Sequence, residues 1–172
     1  MNDKKEKLGF SLLEVIVAIG VTAIGLLGII SLVAQNVQAQ YLNRNILIAS
    51  QLAQEGLELV RNKRDINWLT PGNNWKTGAG SGTDSDIVQD NDYSIDYSGN
   101  INDIDSIDDA RLYIDNNGFY TQAVTATSTY FYRLITVTGE TADSVDINSR
   151  VVWSDRRGNK EYIASFVLYN WR

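Results

Sequence analysis

The sequence predicts an α+β fold: one long N-terminal α-helix whose second half packs against a C-terminal antiparallel β-sheet of about four or five strands. Three observations predict it. Phe10 to Ala34 is an apolar run of 25 residues interrupted by a single charge, Glu14. From Val37 to Val60 apolar residues recur at three and four residues, the helical period. From Ser144 to Trp153 they recur at every second residue, the period of a half-buried strand.

The apolar run comes first. At about 1.5 Å per residue a helix of that length crosses a hydrocarbon core of ~30 Å with some length to spare. A carboxylate within it costs roughly 2.5–3.5 kcal/mol even on the lenient insertion scale, so Glu14 needs a partner and a reason. Lys4, Lys5 and Lys7 precede the run, and the positive-inside rule places them in the cytoplasm with the rest of the chain outside. Ala18, Thr22, Gly25 and Gly28 fall at helical spacing as a stripe of small residues, which lets helices approach closely in lipid. Glycine is also simply common in membrane helices, which is the plainer account of the stripe.

A basic leader, then Gly9, then Phe10, then Glu14 four residues on, at the head of an apolar run, resembles the signature of type IV pilins and type II secretion pseudopilins. The close match covers about a quarter of the chain. The resemblance implies that a prepilin peptidase cuts after Gly9 and N-methylates Phe10. It implies that the head is exported and that the subunit assembles through its N-terminal helix into a filament. It also implies that Glu14 pairs with the Phe10 amine of a neighbouring subunit and so sets register. Many major pilins carry a proline where this chain has Ser31, so any loosening of the helix there would rest on the glycines. The lack of cysteine and the ending Leu168-Tyr169-Asn170-Trp171-Arg172 look like a minor pilin of the modification type. Two other readings of the run are a plain single-pass anchor and a secretory signal cut after Val37-Gln38-Ala39. The second is disfavoured because secretory apolar cores are usually only about 7–15 residues.

The amphipathic stretch continues the helix. Leu52, Ala53, Gly56, Leu57 and Val60 share one face, while Gln54, Glu55, Glu58, Arg61 and Asn62 lie elsewhere. Thr70-Pro71-Gly72 is a stop signal, so the helix is expected to end near Ile66. Residues 72 to 110 are expected to form an irregular, variable surface. Gly78 to Gly82 has flexible-loop composition, and nine aspartates follow: Asp84, Asp86, Asp90, Asp92, Asp96, Asp103, Asp105, Asp108 and Asp109. Only Tyr93 to Tyr97 reads there as a short strand. The aspartates raise calcium, but Asp84-Ser85-Asp86-Ile87 lacks the further ligands of an EF-hand loop. Asp115-Asn116-Asn117-Gly118 lies between two apolar segments and reads as a hairpin turn. No metal or cofactor is assigned.

Tyr130 to Thr138 reads as a strand. In Ser144 to Trp153, Val145, Ile147, Ser149, Val151 and Trp153 share one face, expected to meet Leu52, Leu57 and Val60 of the helix. Tyr162 to Tyr169 is apolar on both faces and is expected to be a central or covered strand. Arg156 and Arg157 read as a solvated tip. The expected organisation is a leader at 1–9, a transmembrane half-helix at 10–34 and an amphipathic half-helix at 35–66. A variable loop region at 67–110 and the sheet head at 111–172 complete it.

Composition narrows function. There are 15 basic and 21 acidic residues, and losing Lys4, Lys5, Lys7, Asp3 and Glu6 with the leader takes the side-chain balance from −6 to −7. An acidic head argues against nucleic acid binding. With no histidine and no cysteine, the commonest general base, the thiol nucleophile and nearly all zinc sites are missing. No phosphate loop is present either, so the chain does not read as an enzyme. The expected role is structural: a minor pilin or pseudopilin whose partners are the peptidase, other pilin subunits, the assembly machinery and the membrane. It would pass from the cytoplasmic membrane to a surface filament. The alternative is an anchored adhesin or binding module using exposed aromatics such as Trp68, Trp75 or Tyr120.

Overall fold

The computed structural model describes residues 9–76, 92–97, 101–104, 106–155 and 158–171. The leader lysines, Gly78 to Gly82, Asp84, Asp86, Asp90, Asp105, Arg156, Arg157 and Arg172 lie outside the described residues. The chain divides into two compact units, Met1–Arg44 and Asn45–Arg172. Helix α1, Leu12–Leu69, supplies the helical residues of both.

In the first unit, every residue from Gly9 to Tyr41 is exposed. The helix here carries no apolar partner, as its composition requires of a segment meant for lipid or for like helices.

In the second unit, α1 covers one antiparallel sheet with seven strands among the described residues, more than the four or five expected. These are β1 (Asp92–Ile95), β2 (Ile101–Asp103), β3 (Arg111–Ile114), β4 (Tyr120–Thr121), β5 (Thr127–Thr138), β6 (Ser144–Asp155) and β7 (Gly158–Tyr169). Strand β5 is the hub. One of its edges takes the β3–β4 hairpin along its first half and the β1–β2 hairpin near Ile135 and Thr136. Its other edge takes β6, which in turn pairs with β7 over its whole length. Strand β1 matches the strand read at Tyr93 to Tyr97, and β3 and β4 flank the turn read at Asp115 to Gly118; β2, three residues in the aspartate-rich stretch, is too short to show a period.

The alternation read in β6 holds: Val145, Ile147, Ser149, Val151 and Trp153 are buried and Asp146 and Arg150 are exposed. This face meets the helix in two clusters. Leu57 and Val60 pack with Val145, Ile147, Ile135 and Val137, and Ala49, Leu52 and Ala53 pack with Phe131, Val151 and Trp153. The helix ends at Leu69 rather than Ile66, and the chain then turns at Gly72, whose φ is +89°. Trp75 returns to the core, held by Asn67 Nδ2 donating to its carbonyl at 3.2 Å. A short 3₁₀ helix, Ile107–Ala110, covers Leu134 on the opposite face of the sheet.

Strand β7 corrects an expectation. Among the described residues it pairs only with β6, so it is an edge strand rather than a central one. Its outward-facing Ile163, Val167 and Tyr169 are exposed, and Ala164 and Phe166 on the core side are only partly covered. Apolar residues on both faces of a strand do not reveal whether its lateral edge is paired.

Candidate functional site

The N-terminal segment is built simply. Gly9 precedes Phe10, which is 81% exposed, and α1 begins at Leu12 with Val15 N–H donating to the Ser11 carbonyl at 3.2 Å. Glu14 is the one acidic residue of the first helical turn. Unpaired N–H groups and the positive end of the helix dipole lie there, so this is the favourable helical position for a carboxylate. Ser11 and Glu14 also stand at the S-x-x-E spacing of a capping box, a signal local in the sequence. Glu14 therefore has a local structural reason that must be separated from any role between subunits.

Beyond Glu14 the helix presents no charge until Arg44. It is long and apolar enough to cross a membrane once, and none of that apolar window is buried. The Thr22 hydroxyl donates to the Ala18 carbonyl at 2.7 Å, so this polar group is satisfied inside its own helix. A Cβ added at Gly20, Gly25 or Gly28 would meet nothing within 4 Å. The glycines are not required by contacts within this unit. Ala18, Thr22, Gly25 and Gly28 are all on exposed surface.

In the second unit the polar centre is Arg133 on β5, a residue that the strand reading passed over. It is fully buried on the core face of the sheet. Its Nη1 donates to the Leu52 carbonyl at 3.2 Å and lies 3.3 Å from Glu55 Oε2, while Nη2 donates to the Ile95 carbonyl at 2.7 Å. Burial pulls the guanidinium pKa below its ordinary value, and the charges of Glu55 and Asp96 oppose that pull. Arg133 thus ties helix, central strand and β1 together. Gly56 makes room beside it: a Cβ there would stand 2.7 Å from Ser149 Oγ, 2.9 Å from Ile135 Cδ1 and 3.0 Å from Arg133 Cδ. Lys63 is also buried, and burial pulls its amine below the ordinary lysine pKa.

The aromatics proposed for ligand contact are not free. Trp75 is buried, Trp68 packs edge-on against Trp171 at 4.6 Å, and Tyr120 packs on the core. Asp115 organises a five-residue connection between β3 and β4, accepting from the N–H groups of Asn117 and Phe119 at 2.9 and 2.8 Å. The hairpin stands as expected, but the positive φ belongs to Gly118 alone, at +86°. The Phe119 N–H is the main cause holding the Asp115 carboxyl below its usual range.

No curated protein and no solved structure matches the chain. Residues 4–30 match a family model described as the prokaryotic N-terminal methylation motif. That span contains Gly9, Phe10, Glu14 and the stripe from Ala18 to Gly28, the same residues that the spacing singled out. The N-terminal segment of this chain is a prokaryotic N-terminal methylation motif, the signal of type IV pilin and pseudopilin precursors.

Proposed function

We propose that the chain is a structural subunit, a minor pilin or pseudopilin, of a type IV pilus-like filament. One observation carries the reading: a methylation motif heads a helix whose whole apolar surface, Phe10 to Ala34, is left uncovered. Lipid covers that surface in the membrane, and like helices cover it in a filament. In this reading prepilin peptidase cuts after Gly9 and methylates Phe10, the leader stays in the cytoplasm and the head is exported. Ala18, Thr22, Gly25 and Gly28 supply the close helix–helix face. Chemistry is confined to processing, and assembly is a transfer of apolar surface from lipid to protein.

Glu14 has the mechanistic role. Cleavage frees an amine at Phe10, four residues away and at nearly the same depth. Each charge is costly in a low-dielectric setting unless paired. A neighbour in correct register lets Glu14 of one subunit meet the Phe10 amine of the other and relieves both costs. A misplaced neighbour relieves neither, so the pair selects register.

Processing is tested first. The backbone at Gly9 must enter the peptidase closely, and a side chain there obstructs it. Gly9→Val is expected to accumulate as membrane-bound precursor, and mass spectrometry of wild type is expected to show N-methylated Phe10. A mature-sized band in Gly9→Val, or an intact leader in wild type, contradicts the reading and favours a plain anchored module.

A further inference from the structure

We propose that the open edge of β7 pairs with the β7 edge of a second copy of this chain, antiparallel about a two-fold axis at Ser165. The ladder to β6 decides which backbone groups point off the sheet. The β6–β7 register runs without a shift from Ser144↔Tyr169 to Asp155↔Gly158. In the same register the Asn170 N–H donates to the Asp143 carbonyl at 2.8 Å. Hydrogen-bonded pairs alternate along an antiparallel ladder, so the even-numbered residues of β7 bond to β6 and the odd-numbered ones turn away. Tyr169 agrees: its carbonyl accepts from Arg64 Nη1 at 3.4 Å, from outside the sheet. That contact closes the C-terminal end of the edge. The N–H and C=O groups of Asn159, Glu161, Ile163, Ser165 and Val167 remain, with no partner among the described residues.

Edges that must stay single are usually guarded by proline, a bulge, an inward charge or short length. Strand β7 has 12 residues, no proline and no bulge, and its only charges, Lys160 and Glu161, stand near its start. Ile163 to Tyr169 is uncharged and rich in β-formers, and Ile163 and Val167 are 51% and 42% exposed. The ligand that satisfies alternating N–H and C=O groups is an extended strand. Asn159 and Glu161 belong to the polar start of the edge; the uncharged run after them, Ile163 to Val167, is centred on Ser165 and specifies a matching strand. A two-fold there sets Ser165 against its own copy and Ile163 against the partner's Val167 on the outer face. On the core side it sets Ala164 against the partner's Phe166, covering a ring that is only partly packed. Tyr169 keeps its bond to Arg64.

Within this unit β7 runs alongside α1 in the same direction. Tyr162 packs near Ala49 and Leu52, Phe166 lies under Arg61 and Trp171 meets Trp68. The paired heads therefore carry antiparallel helix segments. Subunits of one polar filament share a direction, so on the filament reading the pairing joins heads of two filaments; the pairing itself does not depend on that reading. A short strand pair buries little area and is weak singly, but repeated contacts along two arrays add avidity.

The test is amide hydrogen exchange, resolved by NMR, on the full chain in detergent micelles at a fixed detergent-to-protein ratio. Protection at Ile163, Ser165 and Val167 is expected to rise by about tenfold or more with protein concentration, while Ala164, Phe166 and Leu168 stay protected throughout. Proline at an odd position removes an outward donor and spares the β6 ladder. Ser165→Pro is therefore expected to abolish the concentration-dependent protection of Ile163 and Val167 and leave the even-numbered amides unchanged. Val167→Lys, a guard charge on the exposed face, serves if the proline variant does not fold, with the same loss expected. Fast exchange at the three amides at every concentration overturns the proposal. So does protection that ignores concentration, or that survives both substitutions.

Discussion

Gly56 faces the sheet with no room to spare, and two effects of a methyl group there oppose each other. Gly→Ala in a helix interior is worth about 1 kcal/mol in propensity. The added Cβ meets Ser149 Oγ at 2.7 Å and Ile135 Cδ1 at 2.9 Å, both on buried residues with little room to yield. Overpacking of that kind costs about 1–3 kcal/mol. Gly56→Ala is therefore expected to lower stability by roughly 0–2 kcal/mol net, read as a lower urea midpoint, and a raised midpoint contradicts the close approach. Lys63 gives the opposite case. Its stem is buried and its amine is pulled below the ordinary pKa by burial, so the folded state binds this proton less tightly than the unfolded chain. The charged amine thus costs stability at neutral pH, and the cost fades as pH rises toward the ordinary lysine range. Lys63→Met is expected to gain about 0.5–2 kcal/mol at neutral pH, with the gap from wild type narrowing as pH rises toward the ordinary lysine value of about 10.4. A gap that is flat with pH contradicts the assignment to Lys63.

Among the elements, β6 was readable from its sequence because one face is charged and the other is apolar, so the period of two stands out. The helix was readable for the same reason at the longer period. Three features were not. Arg133 looks like an outward charge in a strand; its burial depends on Glu55 and the Leu52 carbonyl of α1 and the Ile95 carbonyl of β1, two distant parts of the chain. Strand β2, three residues long, is held by pairing with β1 rather than by pattern. The edge position of β7 follows from sheet topology, which residue alternation does not encode. In the candidate site, the spacing of Gly9, Phe10 and Glu14 was fully legible because that signal is local in sequence. The S-x-x-E spacing of Ser11 and Glu14 was equally local and went unread beside the stronger motif.

At the scale of the whole molecule, the two units satisfy their apolar surface differently. The second buries Leu52, Leu57 and Val60 under its own sheet, while the first leaves Phe10 to Ala34 for another partner. Deleting residues 1–34 is therefore expected to give a soluble, folded monomer with a cooperative melt; aggregation without a transition contradicts the self-sufficiency of the second unit's core. For the full chain, Glu14 is either a helix cap or half of an ion pair between subunits. A capping box accepts Gln as well as Glu, and an ion pair does not. Glu14→Gln and Glu14→Ala should both be inserted and cleaved normally, and Glu14→Asp, one methylene shorter, should assemble to an intermediate extent. The deciding measurement is the ratio of this subunit in sheared filaments to that in membranes, for wild type and the three variants. Pairing with the Phe10 amine predicts a ratio lowered by about tenfold or more in both Glu14→Gln and Glu14→Ala. A wild-type ratio in Glu14→Gln would reduce Glu14 to a helix cap and remove it from assembly.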